Sequence, residues 1–578
     1  MVQIDYSRDS LLTRFALETL KDRYLLPGET PQDGFARAAS AYADDEDHAQ
    51  RLYDYASNLW FMFSTPILSN GGTERGLGIS CYLNHIDDSR NGIIEHWKEN
   101  TFLASLGGGV GACWGDIRSD GTGTSSGSVS TGSIPFLKTV DSQFLAVAQG
   151  KTRRGSYAAY QNIDHPEIEE FITIRKTTGG DSNRKCPNIH NAVNITDEFM
   201  ESVIAGRDWN LIDPHSKKVT KTLKARDLFR LILETRISKG EPYIHFIDTA
   251  NKHLPESLKV LGLRINTSNL CQEVELPTSK DRTAVCCLSS VNLEKYDEWK
   301  DHLTFISDLI KMLDNVIENF IQTAPPELWR AVASAKGERS LGLGAMGFHS
   351  YLQKLNIPFE GPLASGINRK IFSQLKAQAT EASKELYNKK GPAGDLRNER
   401  NAHLMAIAPN ASSSIICGEA SPSIEPFRAN AYTHKTLSGS FYIKNKYLQQ
   451  RLEELGKNTD ETWTSIIGNG GSVTHLEFLS DWDKEVFKTA IEIDQHWIIQ
   501  HAADRQEYIC QGQSINLFFL ANTNVQYLYD VHIAAYKKGI KGLYYLKSES
   551  IQRPDLISQQ IERITRKETE EDCFSCQG

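Results

Sequence analysis

Residues 303–321, LTFISDLIKMLDNVIENFI, carry the clearest periodic signal in the chain. Ile306, Leu309, Ile310, Leu313, Ile317 and Phe320 recur at three- and four-residue spacing, so a helix here has one apolar face and one polar face. Such a face must be buried against another element. Working outward, short apolar runs alternate with further amphipathic stretches, which predicts an α/β architecture. Towards the start, Leu11–Tyr24 reads as helix, Pro27-Gly28 stops it, and Ala36–Trp60 reads as helix again. At the far end, 12 of the 32 residues from Lys547 to Gly578 are charged, and the few apolar ones cannot hold a core. The expected organisation is a helical segment over 1–62, an α/β body over 63–546 and a mobile tail over 547–578. No fixed-period repeat suggests a solenoid or propeller.

The 578 residues exceed one ordinary core of roughly 100–200 residues. With 40% hydrophobic and 24% charged residues, the chain is too apolar for disorder and too interrupted by charge for a membrane span. No charged n-region followed by an apolar stretch opens it, so a cytoplasmic location is expected. Sixty-four basic against 73 acidic residues leave a net charge of −9, which argues against a general nucleic-acid binder. Ten cysteines are too few for a disulfide scaffold. Only one C-x-x-C occurs, Cys573 and Cys576, whereas a zinc site generally needs two such pairs.

Several short motifs carry chemistry. Asn269-Leu270-Cys271-Gln272-Glu273 places an amide, a thiol and a carboxylate at alternate positions, so an extended backbone would point all three to one side. That set suits acid–base and sulfur chemistry, although an ordinary polar loop reads the same way. Ala408-Pro409-Asn410-Ala411-Ser412-Ser413-Ser414 offers hydroxyls and backbone N–H groups to a phosphate, or merely a serine-rich helix start. Nine glycines between Gly107 and Gly132 permit either close approach to a ligand or a flexible loop. Gly150-Lys151-Thr152 resembles the end of a P-loop, but Leu145 stands where the second glycine is required. Tyr544-Tyr545 reads as a half-buried strand end, or as two rings able to stack.

Taken in order, Ser64-Thr65-Pro66, Ser80-Cys81, Asn269-x-Cys271-x-Glu273, Cys286, the Pro409–Ser414 run, Tyr544-Tyr545 and the Cys573/Cys576 tail resemble the large, catalytic subunit of class I ribonucleotide reductases. Gly342-Leu343-Gly344-Ala345-Met346-Gly347 and Gln513-Ser514-Ile515-Asn516-Leu517 extend the likeness, which runs from about Tyr6 to the C-terminus. The resemblance implies a ten-stranded α/β barrel with a central finger loop, preceded by a small helical domain. It implies that Cys271 carries a thiyl radical, Glu273 takes the 3′-hydroxyl proton, and Asn269 holds the sugar. Cys81 and Cys286 would form the redox-active disulfide, and Cys573 and Cys576 would reduce it and pass electrons on from thioredoxin or glutaredoxin. Thr65, Ser80, Gly109, Ala411, Ser412 and Ser413 would bind the nucleoside diphosphate. Tyr544 and Tyr545 would relay the radical from a separate, metal-containing small subunit, so this chain itself is expected to hold no metal or cofactor. Cys287 receives no role.

The resemblance also implies a homodimer whose effector site takes a deoxynucleoside triphosphate or ATP at Asp88, Ser89 and Arg118, with residues 149–155 relaying effector identity. Ser125 departs from the family, which has an effector-phosphate arginine there, and leaves loop backbone or Lys151 to hold those phosphates. Asp5-Tyr6-Ser7-Arg8-Asp9 already resembles the sequence that follows the family's ATP-cone, so that module, and shut-off by dATP through it, are expected to be absent. Adenosylcobalamin-dependent class II enzymes share the barrel and cysteines but lack the tyrosine pair. A non-catalytic nucleotide-binding homologue would have no need of all five thiols.

Overall fold

A computed structural model describes residues 2–147, 155–436 and 439–549. The strands Cys81–His85, Gly109–Cys113, Ser156–Asn162, His190–Ile195 and Tyr243–Phe246 pair in that order, all parallel. A second parallel set begins with Ala284–Asn292 beside Leu341–Met346. It continues through the bridges Leu343 to Met405 and Ile407 to Gln513, and ends with Leu517–Leu520 beside Leu546–Glu549. Two antiparallel seams join the halves: Cys81–Leu83 against Ala284–Cys286, and Gly542-Leu543 against Ile244-His245. The sheet therefore curls into the expected barrel, its ten strand positions completed by the bridged segments around Met405 and Gln513.

The helix expected over 303–321 runs Phe305–Thr323, and its six periodic apolar residues are all buried. Leu303 lies outside it and is 96% exposed, because the chain turns at Thr304 before the helix begins. Near the start, helices Arg14–Arg23, Pro31–Ala41 and Glu46–Ser57 form the small helical unit. The stretch read as one helix from Ala36 is interrupted after Ala41. There Asp45 accepts from the His48 amide and starts a new helix, the kind of local cap that apolar periodicity does not report. The strand from Leu546 continues through Lys547–Glu549, the first three residues of the segment read as a tail. Residues 550–578, including Cys573 and Cys576, lie outside the described residues. No helix among the described residues is long and apolar enough to cross a membrane.

A buried carboxylate ties the Phe305–Thr323 helix to the later chain. Asp314 accepts from Arg339 Nε at 2.8 Å, Arg400 Nη2 at 3.0 Å and Asn401 Nδ2 at 3.1 Å. Burial alone would raise its pKa, but the two guanidiniums outweigh that and hold the carboxyl below its ordinary value. This contribution is therefore complete above the unfolded value near 3.8 and is lost as pH falls through the lower folded value. Asp314→Asn should cost about 3 kcal/mol at pH 7 in denaturant unfolding. The loss should shrink towards pH 2, and an equal loss at both pH values would contradict this account.

Candidate active site

Residues 266–276 enter the barrel as a finger. Leu270, Cys271, Val274 and Leu276 pack there against Leu83, Ala158, Ala192, Ala284, Ala406 and Ala408, five of them alanines whose small side chains leave room in the bore. The wall comes closest at Gly111, where a Cβ would stand 1.9 Å from the Ser268 carbonyl oxygen. Polar groups grip the finger from all sides. Tyr160 Oη donates to the Asn269 carbonyl at 2.6 Å, Ser514 Oγ to the Cys271 carbonyl at 2.5 Å, and the Gly512 amide to the Glu273 carbonyl at 2.8 Å.

The backbone is not the extended run expected from alternate positions. Asn269 Oδ1 accepts from the amides of Glu273 and Val274 at 3.0 and 3.1 Å, which closes a tight turn, and Gln272 takes φ = 68°. The turn still gathers the chemistry. Cys271 and Glu273 are fully buried, and Ser514 Oγ touches both the Cys271 carbonyl and Glu273 Oε2, the latter at 3.3 Å.

The two expected redox cysteines face each other directly. Cys81 and Cys286 are register partners across the antiparallel seam. Opposed Cα atoms in such a pair stand about 4.5–5.5 Å apart, inside the range of about 4.4–6.8 Å that a disulfide accepts. Burial pushes the Cys286 thiol well up, while Gln511 Nε2, at 3.4 Å from its sulfur, opposes the rise. Strand alternation turns Cys287 to the other face, where its thiol donates to the Leu313 carbonyl at 3.3 Å.

Tyr544 Oη donates to Cys271 Sγ at 3.3 Å. Its ring lies 4.2 Å, centroid to centroid, from that of Tyr545, and Tyr243 packs on both at 4.8 and 5.1 Å. Tyr544 is buried and Tyr545 half-buried, so the thiol, the inner ring and the outer ring form one path towards the surface.

A cleft beside Cys81 and Cys286 is lined by these two residues and by Ser64, Pro66 and Ser80 among others. Thr65 opens the helix Thr65–Asn70, and the Gly109 amide donates to the Ser80 carbonyl at 2.7 Å. Ala411, Ser412 and Ser413 form the first turn of the helix Ala411–Ile416. The N-terminal helical unit reaches two of these residues: Tyr24 Oη meets Thr65 Oγ1 at 3.1 Å, and Arg23 donates to Ser412 Oγ at 3.4 Å.

Comparison with known proteins agrees with this arrangement. The family described as "Ribonucleotide reductase, barrel domain" matches residues 79–400 and 397–546, and "Ribonucleotide reductase, all-alpha domain" matches residues 10–76. The chain belongs to the ribonucleotide reductases. It is 49% identical to a putative ribonucleoside-diphosphate reductase large subunit of Frog virus 3 (isolate Goorha), over 92% of each chain. It is 42% identical to the ribonucleoside-diphosphate reductase large subunit of Invertebrate iridescent virus 3, over 100% of both. The class Id ribonucleotide reductase alpha subunit of Actinobacillus ureae superposes with a TM-score of 0.83 at 37% identity, covering 95% of this chain and 98% of that one.

Elsewhere in this reductase, Arg118 meets Asp88, the neighbour of Ser89. Arg118 Nε reaches Asp88 Oδ2 at 2.9 Å, and Ser89 Oγ caps the helix Arg90–Ser105 by accepting from the Gly92 amide. Ser125 is exposed on a small hairpin, and Arg118 Nη1 also holds that hairpin through the Gly123 carbonyl at 2.9 Å. Asp213, which no motif singled out, anchors the hairpin base by accepting from the Ser119 amide and hydroxyl and from Thr122. Residues 148–154, most of the expected relay loop and with it Lys151, lie outside the described residues. Sequence reading passed over Tyr160 and Gln511, and it gave no separate role to Ser514, quoted only within the Gln513–Leu517 likeness, or to Gly111, one of nine glycines. Gly109 was expected to let the backbone approach the nucleotide; the close approach to the finger falls at Gly111, two residues on and on the same face.

Gly111→Ala should displace the finger, because the obstacle is backbone rather than a movable side chain. A loss of about 1–3 kcal/mol in unfolding free energy is expected, with reductase activity falling further than stability. Full activity in this variant would show that the finger is not held by close approach.

Proposed function

We propose that this chain is the catalytic subunit of a class I ribonucleotide reductase, reducing ribonucleoside diphosphates to 2′-deoxyribonucleoside diphosphates in the cytoplasm. The observation that carries the reading is the 3.3 Å contact between Tyr544 Oη and Cys271 Sγ, inside a barrel that also holds Cys81 and Cys286. A metal-containing small subunit supplies the oxidant. Tyr545 and then Tyr544 pass it inward, and Cys271 gives the hydrogen of its thiol to the Tyr544 oxygen. The thiyl radical takes the 3′ hydrogen of the ribose, an S–H and an activated ribose C–H being close in bond strength.

Glu273 takes the 3′-hydroxyl proton, which eases loss of the 2′-hydroxyl as water. Asn269 steadies the sugar. Cys81 and Cys286 give two electrons and two protons, closing to a disulfide, and Cys271 then returns the hydrogen to C3′. Thr65, Ser80, Gly109 and the Ala411–Ser413 turn hold the diphosphate. Cys573 and Cys576 reopen the disulfide by thiol exchange, fed by thioredoxin or glutaredoxin. The 27 residues between Tyr545 and Cys573 span roughly 30 Å as a flexible chain, which suits a shuttle. A homodimer with a nucleoside triphosphate at Asp88, Ser89 and Arg118 selects the substrate base. Exposed Ile94 and Leu145, on the adjoining helices Arg90–Ser105 and Ile134–Ala146, support such an interface.

The test is CDP reduction with dithiothreitol and an effector triphosphate, supplied either with the cognate small subunit or with adenosylcobalamin. Turnover only with the small subunit is expected, whereas turnover with the cobalamin alone would place the chain in class II. Cys271→Ser should abolish turnover while nucleotide affinity stays unchanged. Residual reduction by that variant would refute a radical at Cys271.

A further inference from the structure

Beside Tyr545 lies a buried polar cluster that the relay as described does not use. Glu241 is 1% exposed, and its carboxylate is paired with Arg175, with His190 Nδ1 at 2.7 Å and with the Asn191 amide at 3.1 Å. Burial alone would raise the Glu241 pKa, but Arg175 and His190 outweigh it and keep the carboxyl below its ordinary range. An ionised carboxylate can only accept, so the short contact places the imidazole proton on Nδ1. The same Nδ1 stands 3.3 Å from Tyr545 Oη, with the two rings edge to face at 6.0 Å and 79°. Tyr243 stacks on the imidazole at 5.9 Å and 20°, fixing its plane. Arg175 Nη1 also comes within 3.4 Å of Nδ1, but it already donates to Glu241.

We infer that Glu241 and His190 are positioning residues for Tyr545: Glu241 fixes the proton on Nδ1, and that one N–H, shared between the carboxylate at 2.7 Å and the phenol oxygen at 3.3 Å, holds the Tyr545 oxygen as phenol and as radical alike. The inference rests on the relay reading above. A phenol both donates and accepts, whereas a neutral phenoxyl has lost its proton and can only accept. A carboxylate or carbonyl beside Tyr545 would lose its hydrogen bond when the ring is oxidised. An imidazole N–H keeps its bond in both states, so the ring has no reason to move between them. In the outward step Tyr545 gives one electron to the oxidised group of the small subunit and its phenolic proton to water at its half-exposed face. In the inward step it regains one electron and one proton from Tyr544, and His190 keeps its own proton throughout. Burying a charged pair and an imidazole costs more than apolar packing would at the same place, which fits a working role better than a purely structural one.

The test replaces Tyr545 with 3-aminotyrosine in the full chain, with small subunit, CDP and effector, and records high-field EPR and deuteron ENDOR after exchange into D2O. The radical at position 545 should show an exchangeable deuteron on its oxygen, beyond those of its own amino group. That coupling should disappear in His190→Phe and weaken in Glu241→Gln. With Tyr545 intact, both variants should lose about tenfold in turnover with the KM for CDP unchanged. No radical at 545 in the otherwise native chain would sink the relay reading, and this inference with it. A radical without the extra deuteron, or one whose coupling survives His190→Phe, would overturn the inference alone. The native-chain spectrum decides the matter even if His190→Phe fails to fold.

Discussion

A loop carrying a thiol can occupy the inside of a closed barrel only if its own backbone is fully satisfied there. Every N–H and C=O removed from water without a partner costs free energy on the scale of a lost hydrogen bond. The finger meets this constraint with groups from separate parts of the chain: Tyr160 from the first parallel half, Gly512 and Ser514 from the second, and Asn269 from within. Cys271 is thus fixed by contacts that exist only when both halves have closed. The rest of the active site follows from that dependence. The Cys81–Cys286 pair spans one seam of the barrel, and the strand that leads into Tyr544 forms the other. Closing the two seams sets the thiols and the ring around a single point.

Burial also decides what the thiols can do at rest. Cys286 is pushed well up from its ordinary range by its apolar surroundings, so it remains protonated and poorly nucleophilic inside the closed barrel. A thiol in that state suits a donor of hydrogen and electrons better than a reagent open to adventitious oxidants. Gln511 moderates this by touching Cys286 Sγ with its amide while its carbonyl accepts from the Glu275 amide on the finger at 3.1 Å. One side chain therefore links the position of Cys286 to the position of the loop. Cys287, one residue away, has its thiol committed to the Leu313 carbonyl, and strand alternation alone accounts for the different fates of these neighbours.

The fold class and the chemistry-bearing residues were legible in the sequence because each left a local trace. The Ile306–Phe320 periodicity marked a helix, and the order of Cys81, Cys271, Glu273, Cys286 and Tyr544-Tyr545 marked the site. Supporting residues left none. Gly111 is needed because of a carbonyl far along the chain at Ser268, and nothing around position 111 distinguishes it from its neighbouring glycines. Glu241 and His190 are 51 positions apart and become a pair only when their regions meet beside Tyr545. The turn at Asn269–Val274 was misread for a related reason. Alternation assumes a strand, whereas an asparagine side chain that accepts from two backbone amides overrides it.

The helical N-terminal unit is better understood as part of the site than as an appendage. Tyr24 and Arg23 lie at the end of the helix Arg14–Arg23 and reach Thr65 and Ser412, residues that belong to different regions of the later chain. Both belong to the proposed diphosphate cradle, and Arg23 would bring it a positive charge. An arginine is a natural neighbour for an anionic ligand, and a long side chain anchored on a packed helix loses less freedom on binding than one carried by a loop. The small unit is fixed in turn through Arg51, whose guanidinium meets Asp308 on the Phe305–Thr323 helix at 2.7 Å. Asp308 lies six residues before Asp314 on that helix, so one element clamps the helical unit on one side and the barrel's later strands on the other. Precise placement of the proposed diphosphate cradle therefore depends on the same helix whose periodic face first revealed the fold.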